Sequence, residues 1–75
     1  MAFVFIRVEA DGGSRAGSQI VKIDGVQESH ELTGDIDIIA KVSARDMDEL
    51  SKIIYRIREI RGVLGTDTRI VLATF

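Results

Sequence analysis

Cysteine, proline and tryptophan are absent from this 75-residue sequence, and histidine and tyrosine occur once each. Without cysteine there is no disulfide framework, no thiolate zinc site and no thiol nucleophile, a composition compatible with a reducing compartment. Aromatic residues supply only 5% of a chain that is 45% apolar. The core must therefore be aliphatic, built on the Ile and Val that suit strands and closely packed interfaces. No surplus of positive charge exists either. Ten basic residues against twelve acidic ones leave a net charge of -2, the wrong sign for a domain that holds nucleic acid by neutralising phosphates. Long apolar runs are missing too. The stretch from Met1 to Val8 contains Arg7 and is followed by Glu9 and Asp11, too short for a signal peptide and far from the roughly 18 apolar residues of a membrane span. A cytoplasmic protein without membrane contact is expected.

What is present suits one domain over residues 1–75, because a second core would have to form from fewer than about 40 residues. A chain this short buries only ~60% of its unfolded surface, so association is a natural supplement to its stability. From Ala2 to Val8, Phe3 and Phe5 alternate with Val4, Ile6 and Val8, the pattern of a strand covered on both faces. Asp11-Gly12-Gly13-Ser14 reads as a turn ending in an N-cap, and Ala16, Ile20 and Ile23 follow at helical spacing, with Gly17 weakening the helix. Asp24-Gly25 stops it. Val26 to Leu32 and Ile36 to Val42 form a hairpin across Thr33-Gly34-Asp35. Ser43, with Asp46 at N3, caps a second helix whose apolar face is Met47, Leu50, Ile54 and Ile57. Arg61-Gly62 ends that helix, and Val63 to Phe75 reads as a long final strand.

The order is strand, helix, strand, strand, helix, strand. Ile23-Asp24-Gly25-Val26 is echoed by Ile60-Arg61-Gly62-Val63, 37 residues later, which implies a split βαβ repeat. Right-handed crossovers place both helices on one face of a four-stranded antiparallel sheet. The fold expected is α+β, a ferredoxin-like βαββαβ sandwich. Its other face is bare. An apolar set from the first strand must point out of that face, and pairing with a second copy covers it.

Catalytic chemistry finds little support. His30, the single histidine, lies between Glu28 and Glu31 on a polar strand and cannot form a metal site alone. None of the serines has a second histidine to choose from. Gly12-Gly13 precedes a helix but has no G-x-G-x-x-G pattern and no P-loop lysine, so an ordinary turn is favoured over a phosphate cradle. No catalytic residue, metal or cofactor is expected. Leu32-Thr33-Gly34-Asp35-Ile36-Asp37 is more informative. Glycine there offers main-chain amides to a ligand, and two carboxylates at i and i+2 suit an ammonium group; a plain polar hairpin turn is the competing reading. Thr66-Asp67-Thr68 is a second polar stretch, whose hydroxyls either bind a carboxylate or fill an edge-strand surface.

These residues together carry a resemblance: Ala2-Phe3-Val4 opening the first strand, Ile23 before Gly25-Val26, Thr33-Gly34-Asp35-Ile36-Asp37-Ile38, and Gly62-Val63 before Thr66-Asp67-Thr68 and Ile70-Val71-Leu72. Over essentially its whole length the chain resembles the ligand-binding (RAM) domain of Lrp/AsnC regulators, in the stand-alone form that lacks a helix-turn-helix. Asp24 and Arg61 depart from it, standing where the family often has proline. The resemblance implies a dimeric α/β-barrel arrangement with sheets packed face to face, rings of dimers, and small effectors, usually amino acids, held between dimers. It also implies that Thr33, Gly34, Asp35, Asp37, Thr66 and Thr68 approach the effector. In that scheme amides near Gly34 and the threonine hydroxyls take the carboxylate, and Asp35 or Asp37 takes the ammonium. Transcription regulation without direct DNA contact is the function implied, with a hetero-oligomer formed with full-length regulators as a further partnership. Two other classes share this element order: an ACT-type regulatory module, which joins sheets side by side, and a small dimeric α/β-barrel enzyme, which needs a cavity within each subunit. A purely structural partner of full-length regulators is a third.

Overall fold

The computed structural model describes residues 1–10 and 13–75, with side chains described at all of these except 13 and 14. Its elements are β1 (Ala2–Val8), α1 (Gly13–Ile20), β2 (Val26–Glu31), β3 (Ile38–Val42), α2 (Met47–Arg58) and β4 (Val63–Ile70). The sheet order is β2-β3-β1-β4 and every neighbouring pair is antiparallel. That is the α+β ferredoxin-like sandwich expected. No described helix is long and apolar enough to cross a membrane.

Alternation along β1 decides which face the helices cover. Val4 and Ile6 are fully buried, as are Ile20 from α1, Ile38 and Val42 from β3 and Ile57 from α2. Each such aliphatic side chain contributes roughly 1.5–3 kcal/mol on removal from water. Phe3 and Phe5 take the opposite face and stay half-exposed. The aromatic set is thus the one left outside.

The repeat extends further than its four-residue echo. Ile23 N–H donates to Ile20 O at 3.0 Å and Val26 N–H to Ile23 O at 3.1 Å; Ile60 N–H donates to Ile57 O and Val63 N–H to Ile60 O, both at 3.1 Å. Gly25 and Gly62 adopt φ of 99° and 95°, where a side chain is disfavoured. Their carbonyls accept from the residue just past the neighbouring strand, Ser43 N–H onto Gly25 O and Glu9 N–H onto Gly62 O, each at 2.8 Å. A register shift follows both turns. Val26 faces Val42 but Glu28 faces Lys41, and Val63 faces Val8 but Gly65 faces Arg7, so Gln27 and Leu64 are the extra, bulged residues.

Several element boundaries differ from the sequence expectation. The Asp11-Gly12 part of the first turn lies outside the described residues, and α1 begins at Gly13, so Ser14 stands within the helix. Ile23 lies past the helix end, yet its bond to Ile20 keeps it packed against the core. Asp46, not Ser43, caps α2: its Oδ1 accepts from Glu49 N–H at 2.8 Å. Glu49 Oε2 in turn accepts from Arg45 Nε at 2.8 Å. Ile53 replaces Ile54 on the buried stripe, and Met47 is 60% exposed. The last strand stops at Ile70. Beyond it a single bond, Val71 N–H to Met1 O at 3.0 Å, uses up the partner strand, which leaves Leu72 and Phe75 exposed. Replacing the cap, Asp46→Ala, is expected to lower stability by about 1 kcal/mol, read as an earlier urea midpoint at unchanged slope.

Candidate functional site

The β2–β3 connection is built around two backbone features. Gly34 takes φ of 100°, and a Cβ there would meet no atom within 4 Å, so the turn is open to solvent on its outer side. Leu32 N–H donates to Asp37 O at 2.7 Å and closes the loop. Thr33, Gly34 and Asp35 are exposed. Asp35 has no hydrogen-bond or ion-pair partner among the described residues, and its carboxylate is available to a ligand.

Asp37 is employed differently. Its N–H donates to Ile6 O at 3.2 Å, and its Oδ2 accepts from Val8 N–H at 2.9 Å. The carboxylate therefore satisfies a main-chain donor at the end of β1, where the bulge interrupts the ladder to β4. One of its oxygens already has a structural duty. Asp37→Ala removes that acceptor altogether, and a loss of about 1–2 kcal/mol in chemical denaturation is expected.

Thr66 and Thr68 lie directly across from Ile6 and Val4. Residues opposite one another in a ladder share a face, so both hydroxyls belong to the helix side of the sheet. Thr68 lines a groove of about 330 Å³ between α2 and the outer strand β4, together with Met47, Ser51, Tyr55, Arg58 and Ile70. Within one chain β1 stands between Asp37 and Thr66. The two threonines share one strand face, while Thr33 and Asp35 stand apart on the loop, so the six do not gather at one place among the described residues.

The sequence reading did not single out Tyr55 and Arg58. Their i, i+3 spacing on the flank of α2, with Ser51 one turn earlier, is the signal that points at the groove. Arg7 was missed as well. It reaches a second cavity of about 270 Å³ on the bare sheet face, lined also by Phe5, Ile36, Gly65, Thr66 and Asp67. Two pairs of charged side chains elsewhere on that face are formed along single strands. His30 Nε2 and Glu28 Oε2 are 2.9 Å apart on β2, and the His30 hydrogen bond, with Lys41 adding, holds the Glu28 carboxyl below its usual range. On β4, Arg69 Nη2 donates to Asp67 Oδ2 at 3.0 Å and raises the Arg69 guanidinium further above its ordinary value. The same guanidinium lies over the Phe5 ring, 5.8 Å from its centroid.

Comparison with known proteins places this geometry. A family model described as the Lrp/AsnC ligand binding domain matches residues 1–75. The HTH-type transcriptional regulator FL11 of Pyrococcus abyssi is 38% identical over 74 residues, covering 99% of this chain and 49% of the regulator. This chain spans about half the length of the curated regulators it matches. The homocitrate synthase of Sulfolobus acidocaldarius is 48% identical over 54 residues, 72% of this chain but 12% of the enzyme. Among solved structures, a protein from Thermus thermophilus superposes with a TM-score of 0.92 at 29% identity, covering 99% of this chain and 94% of that one.

Proposed function

The chain belongs to the Lrp/AsnC ligand-binding domain family, and from that premise we propose that it is a cytoplasmic amino-acid sensor whose binding site is completed between copies. The observation that carries this reading is the separation just described. Among the described residues Asp35 and the amides near Gly34 have no hydrogen-bond partner, while Thr66 and Thr68 stand on another strand across β1. A ligand that uses both sets must bridge two molecules. In such a bridge the Gly34 amides and a threonine hydroxyl hold the carboxylate, and Asp35 takes the ammonium. Binding then favours assembly, because a ligand stabilises whichever state it contacts.

Assembly starts at the bare sheet face, where Phe3, Phe5 and Ile39 await a second copy, and proceeds to rings of dimers. Regulation follows without direct DNA contact by this module, either alone or in mixed oligomers with full-length regulators. The homocitrate synthase match supports a second reading, in which the same module serves an enzyme in place of a promoter-bound regulator. Co-purification separates the two by the class of protein recovered.

Calorimetry against the twenty amino acids tests the sensor reading. One or a few should give heat and a thermal upshift, and Asp35→Asn should weaken that binding by about tenfold or more with the unliganded Tm unchanged. Absence of heat and thermal shift with all twenty, for protein shown to be oligomeric, removes the sensor reading.

A further inference from the structure

The groove between α2 and β4 stands out among the described residues by its charge. Its floor is aliphatic, made by the buried Leu50, the half-buried Ile54 and, from β4, Ile70. Ser51, Tyr55 and Arg58 stand in file along its α2 wall, and Thr68 joins them from β4. Arg58 is the one charged side chain among the described residues that line it. That guanidinium has no hydrogen-bond or ion-pair partner among the described residues, and neither have the Ser51, Tyr55 and Thr68 hydroxyls. A helix C-terminus favours a nearby cation, but Arg56 in the same turn already supplies one. The dipole gives no reason for apolar surface beside Arg58.

Other concave places on the chain are compensated. On the bare sheet face Asp67 stands beside Arg7. Across α2, acidic Asp24 and Glu49 offset the basic groups, Arg45 Nε already donates to Glu49 Oε2 at 2.8 Å, and Ile53 is the one aliphatic residue described in that lining. An apolar floor under a lone cation belongs to the α2–β4 groove.

We infer that this groove receives the side chain of the effector and that Arg58 selects an anionic one, so that the ligand class is the amino acids with acidic side chains. The inference rests on the sensor reading above, in which Thr68 is part of the bridged site, and adds what that half of the site recognises. In the bridge the α-carboxylate goes to the Gly34 amides and a threonine hydroxyl, and the α-ammonium goes to Asp35. Arg58 is then left for the side chain. A stem passing from Thr68 over Ile54 brings a terminal carboxylate to the guanidinium fork, with the Tyr55 O–H as a neighbouring donor.

Charge, not size, makes the selection. At roughly 30 Å³ for each non-hydrogen atom, about 330 Å³ accommodates far more than an aspartate side chain. Once a second copy closes the groove, however, the guanidinium leaves water. A neutral side chain then leaves it unpaired, which is costly, and a lysine side chain adds repulsion. Aspartate and glutamate supply the missing anion.

Calorimetry with each acid and its amide tests the assignment, because glutamate and glutamine, like aspartate and asparagine, differ in charge at nearly constant shape. The tighter-binding acid should exceed its amide by about tenfold or more. Arg58→Gln should bring the acid down to the level of the amide. Arg58→Lys, which keeps the charge, should retain a preference for the acid, and Arg58→Glu should shift the preference to lysine. Arg58 is exposed, so an unliganded Tm near the wild-type value confirms that each variant is folded. A wild type that binds an amide or an aliphatic amino acid more tightly than either acid overturns the role of Arg58 and leaves the sensor reading standing. So does an Arg58→Gln variant that loses acid and amide in equal proportion, since Arg58 then holds a group common to both. Heat with none of the twenty amino acids overturns the sensor reading and this inference with it.

Discussion

Gly25→Ala is expected to cost about 2–4 kcal/mol of folding free energy, whereas Gly62→Ala costs about 1–2 kcal/mol, although the two glycines occupy equivalent turns. Both have positive φ, and a Cβ in that region carries roughly 1–2 kcal/mol of steric penalty wherever it stands. Space distinguishes them. A Cβ at Gly25 would lie 2.6 Å from Ile53 Cδ1 and 3.1 Å from Ser43 O, while one at Gly62 would meet nothing within 4 Å. Ile53 is on the buried stripe of α2 and only 3% exposed, so its Cδ1 has little free space to move into. Overpacking of this kind typically adds about 1–3 kcal/mol. Paired urea titrations decide the point, since the variants share backbone strain and differ in crowding. Equal midpoints for the two would mean that Ile53 moves freely. Gly62→Asn should be milder than Gly62→Ala, because asparagine tolerates this region better.

Phe5→Asp is expected to weaken self-association by about a hundredfold or more while the monomer remains folded. Phe5 lies at the middle of the bare face, flanked by Ile39 and Asp67. Its ring supports the Arg69 guanidinium. Truncating a central aromatic anchor typically costs about 2 kcal/mol or more, and a carboxylate placed there must also be desolvated on pairing. At about 1.4 kcal/mol per tenfold, that gives the stated factor. Phe5→Leu is the control, retaining apolar area without the cation–π contact, and should fall between. Sedimentation over a range of concentrations reads the effect. If Phe5→Asp sediments like the wild type and the wild type is oligomeric, the sheet face is not the contact.

Element order was legible in the sequence because it rests on short-range patterns: period two in Ala2–Val8, glycine stops at 25 and 62, helical spacing from Leu50 to Ile57. What escaped depended on contacts between distant residues. Ser43 and Asp46 are both good caps three positions apart. The bond from Ser43 N–H to Gly25 O keeps Ser43 in line with the sheet, so the helix starts only after Asp46. The β1 pattern identified two faces without saying which would be covered. That choice follows from where Ile20, Leu50, Ile53 and Ile57 are delivered by the helices.

The candidate site was legible only in part. Thr33 to Asp35 form an exposed loop at the place read for them. The role of Asp37 required knowing that β3 lies beside β1, 29 residues away in sequence. Thr66 and Thr68 were recognised as polar residues in a strand, but their face is set by register with Ile6 and Val4, which a bulge at Leu64 adjusts. Tyr55 and Arg58 sit on a helix flank whose importance emerges only once β4 is packed beside it.

The bond between Val71 N–H and Met1 O brings the two ends of the chain to one corner of the sheet. Together with the matched turns, it sets the end of the second half-unit beside the start of the first, so the fold is close to a ring of two half-units. Residues 72–75 can span roughly 13 Å, ample to return to Met1 without a spacer. A head-to-tail cyclised form would keep every strand beside its present neighbour and give up only freedom of the unfolded chain. The same geometry lets the unit be joined to another protein from a single corner, leaving both its open sheet face and its β2–β3 loop unobstructed.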